Sequence, residues 1–106
     1  MQWRKRAPGM AIQPLYTAET QRLRRIARHP DRRFRWTDHA LKSVADEPGR
    51  TTNDVEFALM NSQVTLVEWK RDVLWRAVGN DVDGNQITAV VAVYEEEIVI
   101  KVVTTF

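Results

Sequence analysis

Apolar residues recur at helical spacing in the first part of this chain and alternate at strand spacing in the last part. Leu23, Ile26 and Ala27 form a narrow stripe with Arg22, Arg24, Arg25 and Arg28 off it, which predicts a short helix over 18–28 with Thr17 as its cap. His29-Pro30 ends it, because the residue before a proline is pushed out of the helical region. Arg33 to Trp36 alternates basic with aromatic residues and reads as a brief strand. Thr37 then caps a second helix running to about Glu47, where Pro48-Gly49 stops it. Ala40, Leu41, Val44 and Ala45 make its expected buried face, and His39, Lys42, Ser43 and Asp46 share the opposite stripe. A third helix begins near Thr52 or Asn53. Asn53 and Glu56 have capping-box spacing, and Val55, Ala58 and Leu59 face inward.

The period then changes to two. Segments 64–70, 73–78, 87–94 and 98–105 are rich in Val and Ile and are joined by short turns, which predicts an antiparallel meander. One parity is wholly apolar (Val73, Trp75, Ala77; Ile87, Ala89, Val91, Val93; Ile98, Ile100, Val102) and should meet the helices. The other is mixed and carries Arg76, Tyr94, Lys101 and Thr105, so a ligand, the N-terminal arm or a second subunit is expected on that face. The expected class is α+β. Two helices pack on one face of a four- to five-stranded antiparallel meander sheet spanning 33–106, preceded by a basic N-terminal arm with a short helix over 1–32.

Charge changes the picture more than composition does. Residues 1–35 hold ten of the sixteen Lys and Arg and only Glu19 and Asp31 as acids, a balance of +8; residues 36–106 hold six bases and twelve acids, a balance of −6. Such asymmetry points to a polyanionic partner. At 106 residues the chain makes one domain. It has no cysteine, which removes disulfides and thiolate chemistry and fits a reducing compartment, so a cytoplasmic location is expected. The basic opening M-Q-W-R-K-R is not followed by the apolar run of a signal peptide, and nothing approaches a membrane span. The helix at 18–28 has too small an apolar face for a membrane surface.

The order of elements carries a likeness. A strand, T-D-H-A opening a helix, T-x-x-D-V-x-x-A-L on a second helix and a meander ending I-K-V-V-T resemble the small bacterial RelE/ParE-like proteins, closest to the BrnT-like toxins and their relatives with an H-A-x-x-R helix. The resemblance spans about 33 to 105. It implies a compact α+β fold, metal-independent RNA cleavage and an antitoxin protein as partner. His39 would match the helix-opening histidine and Thr104 or Thr105 the terminal threonine. The chain departs from the pattern where relatives place an arginine four residues after that histidine: Ser43 stands there, with Lys42 the nearest base. The arginine before the second helix survives as Arg50, behind Pro48-Gly49.

Metal-independent RNA cleavage needs a base for the 2′-OH, an acid for the leaving oxygen and cations for the charge of the transition state. His39, Arg76, Lys101 and Tyr94 are the candidate catalytic set. The local alternatives are a first-turn polar role for His39 and cross-strand ion pairing of Arg76 and Lys101, for example with Glu68. Arg22, Arg25, Arg32, Arg33, Arg35, Lys42, Arg50 and Arg71, with Trp36, are candidates for holding phosphates and stacking bases. The competing reading has the basic segment docking on the acidic part of its own or another copy. No metal site or cofactor is expected: His29 and His39 lack ligand spacing, and 81–85 places its glycine wrongly for a calcium loop. Two function classes therefore stand: a ribonuclease of the toxin type, and a non-catalytic module that binds nucleic acid or protein.

Overall fold

The structure, a computed structural model, describes residues 16–106. The segment 1–15, with Trp3, Arg4, Lys5 and Arg6 of the expected basic arm, lies outside the described residues. Along the chain follow α1 (Thr17–Ala27), β1 (Arg33–Trp36), α2 (Asp38–Ala45), α3 (Thr52–Met60), β2 (Gln63–Trp69), β3 (Val73–Asn80), β4 (Gln86–Tyr94), a 3-10 turn (Glu95–Glu97) and β5 (Val99–Thr105). The class is α+β, as the hydrophobic pattern implies.

The strands stand in the order β1-β5-β4-β3-β2. The last four form the expected antiparallel meander. β1 corrects the all-antiparallel expectation, because it pairs parallel with β5, Arg33 beside Val99 and Arg35 beside Lys101. Ile98 starts this pairing: it takes a left-handed φ of 55° and offers its carbonyl to the Arg33 N–H at 3.0 Å. Thr37 closes it by donating its N–H to Val102 at 3.1 Å and its hydroxyl to Val103 at 2.9 Å.

Three helices, not two, share the core among the described residues. Leu23, Ile26 and Ala27 of α1 are buried in one cluster with Val44, Val55, Leu59, Trp75, Val91 and Ile100. The helix assigned to the arm is thus part of the packed domain, and Thr20 ties it to β2 by accepting the Val64 N–H at 2.9 Å. The predicted apolar parity is the helix-side parity: Trp75, Ala77, Ile87, Ala89, Val91, Ile100 and Val102 all lie in this core, with Val73, Val93 and Ile98 at its margin.

Three local expectations need correction. The buried stripe of α2 is narrower, Ala40 and Val44 alone, with Leu41 and Ala45 exposed because α2 packs on β5 at the side of the sheet. The capping box of α3 is Thr51 with Asp54, two residues earlier than Asn53 with Glu56, since Thr51 takes the extended conformation a cap requires. Thr105 leaves the mixed face: an irregularity between Val90 and Val91 reverses the parity at the end of β5, so Thr105 pairs with Ala89 on the helix side. There its hydroxyl lies 2.8 Å from the Ser43 hydroxyl of α2.

Candidate nucleic-acid interface

Among the described residues the three helices all pack on one side of the sheet, which leaves the mixed parity as a helix-free face. Register places its residues in rows across the strands. Arg33 of β1 stands beside Val99, which is opposite Tyr94 of β4. One pair further along, Arg35 stands beside Lys101, which is opposite Ala92. Beyond them Thr104 is opposite Val90, Val90 opposite Arg76 of β3, and Arg76 opposite Leu66 of β2. Val90, Ala92 and Val99 are buried although they lie outside the helix-side core, so charged and aromatic groups surround a small apolar strip.

The cations on this face are unevenly neutralised. Arg35 and Lys101 are direct neighbours, and like charges so placed repel. Lys101 is compensated: its Nζ donates to Asp72 Oδ2 at 3.0 Å, and the Tyr94 hydroxyl donates to the same oxygen at 2.9 Å. The Lys101 hydrogen bond, then that of Tyr94, holds the Asp72 carboxyl below the usual carboxylate value. Asp72 and then Tyr94 in turn raise the Lys101 ammonium. Among the described residues Arg35 has only Glu97 at 3.9 Å, both side chains well exposed, a weak pairing. The exposed Arg33 guanidinium has no ion pair or hydrogen bond among the described residues. Arg76 lies over the exposed Phe106 ring at 5.7 Å, and Lys101 over Tyr94 at 5.9 Å.

The structure brings Tyr94 and Lys101 together through Asp72, and sets Arg76 elsewhere on the same face. His39 is not with them. It sits exposed in the first turn of α2, with no hydrogen bond or ion pair to Arg76, Tyr94 or Lys101 among the described residues. Glu68, a candidate partner of the strand cations, pairs with neither: it stands opposite Leu74. Asp72 is the residue that pattern reading missed. It was legible only as turn material, and its carboxylate becomes important because the hairpin ends beside Tyr94.

Several candidate phosphate-binding residues are occupied internally. Arg22 and Arg25 both meet Glu95, at 2.9 and 3.1 Å. For Arg22 this is proximity without an aligned N–H, since its Nε has no hydrogen-bond partner; its guanidinium also covers Trp75 at 5.4 Å. Arg32 donates to the His29 carbonyl at 3.2 Å, Lys42 to Asp46 at 3.2 Å and Arg50 to the Phe106 carbonyl at 2.9 Å. Trp36 faces the helices, half-buried, and donates its ring N–H to Glu56 at 3.2 Å. Arg71 is exposed in the β2–β3 turn. Asp81 in the 81–85 loop accepts the N–H groups of Asp83 and Asn85 at 2.9 and 2.8 Å, a self-contained turn.

No group of three or more His, Asp or Glu among the described residues is arranged to hold a metal ion. No helix there is long and apolar enough to cross a membrane. No family model, curated protein or solved structure gives a significant match to the chain.

Proposed function

We propose that this protein binds single-stranded RNA on the helix-free face of its sheet without cleaving it. One observation carries the reading: Arg33 and Arg35 lie on one face of β1, Arg35 directly beside Lys101, on a face free of helices, and among the described residues only Lys101 of the three has a close counter-ion. Uncompensated cations at this spacing attract phosphates, and the Tyr94 ring in the row of Arg33, with the Phe106 ring beside Arg76 at the other end of β5, suits base stacking. Single strands are favoured over duplex because stacking needs unpaired bases.

The absence of cleavage rests on proton chemistry. A general acid or base at neutral pH needs a pKa near 7. Asp72 is shifted down and Lys101 up, both away from that range, and His39 makes no hydrogen bond or ion pair with either among the described residues. The pair is suited to holding charge, not to moving protons.

A ribonuclease of the RelE/BrnT-like type, held by an antitoxin, is the second reading. It is supported by the order of β1, α2, α3 and a four-stranded meander, the order the sequence resemblance implies. The two readings separate in one set of assays. For the binding module, fluorescence anisotropy with a single-stranded RNA shows affinity falling with salt. Replacing both Arg33 and Arg35 with Ala lowers the slope of log K against log salt by about 1.4, at about 0.7 per phosphate on a single strand. An unchanged slope overturns the assignment of this face. RNA cleavage by the purified chain, abolished in His39→Ala, establishes the ribonuclease instead.

A further inference from the structure

We propose that the unpaired edge of β2 joins antiparallel to the unpaired edge of β1 in a second copy of this chain, with Glu68 set against Arg35. β1 and β2 stand at the two ends of the strand order, so each has one side without a neighbouring strand among the described residues. β2 carries no lysine or proline within Gln63–Trp69, the residues that commonly blunt an edge. Trp69 at its end is 81% exposed and takes no part in the helix-free face.

The hydrogen bonds already made fix which backbone groups are left over. Lys70 donates its N–H to the Asp72 carbonyl, so Glu68 also points toward β3, while Val67 and Trp69 turn their N–H and C=O outward. Before the irregular step at Thr65, the Val64 N–H turns outward too and is taken by Thr20 of α1. α1 thus covers the start of this edge and leaves 66–69 uncovered, a length that matches the four residues of β1. On β1, Arg33 and Thr37 donate to the Ile98 and Val102 carbonyls, so Phe34 and Trp36 are the residues whose backbone faces out.

Direction, face and charge then agree. Within one chain β1 and β2 run in opposite directions. A copy set alongside in the same orientation therefore meets β2 with an antiparallel β1. Phe34, Trp36 and Val67 lie against the helix-side core, and Trp69 shares a groove with Val67 and Trp75 beside Arg22 of α1, so the joined sheet keeps its helices on one side. Pairing Val67 with Trp36 and Trp69 with Phe34 of the second copy puts Glu68 directly opposite Arg35 on the helix-free face. Glu68 has no ion pair or hydrogen bond among the described residues, and Arg35 has only the 3.9 Å contact with Glu97.

Pairing like edges is worse. Two β1 edges would set arginine against arginine. Two β2 edges joined through Val67 and Trp69 would set Glu68 against Glu68, and the register centred on Val67 would run Trp69 into the irregular step at Thr65. The contact is thus head-to-tail and can propagate from copy to copy.

The test uses the full chain without RNA, because Arg35 also belongs to the proposed phosphate site. Sedimentation velocity at low salt should show an average mass that rises with protein concentration. Glu68→Arg and Arg35→Glu should each raise the dissociation constant by at least about tenfold, since each sets like charges together. An equimolar mixture of these two variants should assemble as the wild type does, because every junction between unlike variants has opposite charges. Val67→Pro, which removes an outward N–H, should fold by circular dichroism and remain monomeric. A wild type that stays monomeric up to about 1 mM overturns the proposal. So does assembly that survives Arg35→Glu, or a mixture of the two charge variants that stays monomeric.

Discussion

Arg24 of α1 reaches the end of α3 and donates its Nε–H to the carbonyl oxygen of Ser62 at 2.8 Å. Its Nη2 lies 3.5 Å from the Asn61 carbonyl, and Arg28 adds an Nε bond to the Met60 carbonyl at 2.8 Å. The last carbonyls of a helix have no partner within it and favour a nearby cation. α3 has no basic residue in its own last turn. The arginine-rich stripe of α1 supplies that end cap from outside, which explains why much of the N-terminal charge serves the fold.

Arg24→Ala is therefore expected to destabilise the protein by about 1.5 kcal/mol, the scale of a hydrogen bond to a charged group, and Arg28→Ala by less because its bonds are exposed. Urea denaturation should show a lower midpoint with an unchanged slope. Arg24→Lys should recover only part of the loss, because one ammonium lacks the guanidinium's forked reach to two carbonyls. An unaltered midpoint in Arg24→Ala would mean that the bond contributes nothing net.

Gly79 on β3 marks where α3 comes closest to the sheet. A methyl group there would run into the Ala58 carbonyl and lie 3.1 Å from the Ser62 Cα, both backbone atoms that cannot turn aside. Gly79→Ala should cost about 2–3 kcal/mol through overpacking. Gly84 is the control: its Cβ would meet nothing, but its φ of 84° is left-handed, so Gly84→Ala should cost about 1 kcal/mol. Thermal or urea unfolding of the two variants checks the order. The reverse order would show that α3 shifts easily and the turn does not.

Ser43 joins α2 to the end of β5 through two contacts with Thr105 and makes a third within its own helix. It donates to the Ala40 carbonyl at 2.8 Å, accepts the Thr105 N–H at 3.2 Å and meets the Thr105 hydroxyl at 2.8 Å. Thr105 is 5% exposed, so losing Ser43 leaves its polar atoms with little access to water. Ser43→Ala should cost about 1–3 kcal/mol, as expected for an orphaned buried group. Adding Thr105→Val should cost less than its single-mutant value, since the orphaned hydroxyl goes with it. Strict additivity in the double-mutant cycle would sever the proposed link.

How far these relationships were legible in the sequence follows from the range of the forces involved. Local signals survived: Thr37 caps α2 by accepting the Ala40 N–H, and the apolar parity of Trp75, Ile87 and Val102 is the core parity. Pairing across long separations did not. Alternation in Arg33 to Trp36 says that a strand forms, but its parallel partner β5 is set by Ile98 and Thr37, which meet it only after the chain has returned. The same distance hid the Asp72 contact with Lys101 and the capping of α3 by Arg24. Thr105 was misplaced because a single irregular residue step reverses every later side chain, and alternation carries no sign of it.

The Asp72–Lys101 pair makes a last prediction, in pH. Asp72 is depressed in the folded protein, so its contribution is present above the unfolded carboxylate value of about 4 and is lost as pH falls through the lower folded value. Lys101 is raised, so its contribution is complete below the unfolded value of about 10.4 and is lost as pH rises through the higher folded one. Between those limits both remain charged and the pair adds a flat increment. Urea midpoints of the wild type and Asp72→Asn should thus differ by a constant amount from about pH 5 to pH 9. The gap should narrow below pH 4, where the wild-type carboxylate takes up its proton. It should also narrow as pH rises from about 10.4, the unfolded value, through the higher folded value at which Lys101 loses its charge. A gap that is absent at pH 7, or that grows as pH falls below 4, would show that Asp72 is not held ionised by Lys101 and Tyr94.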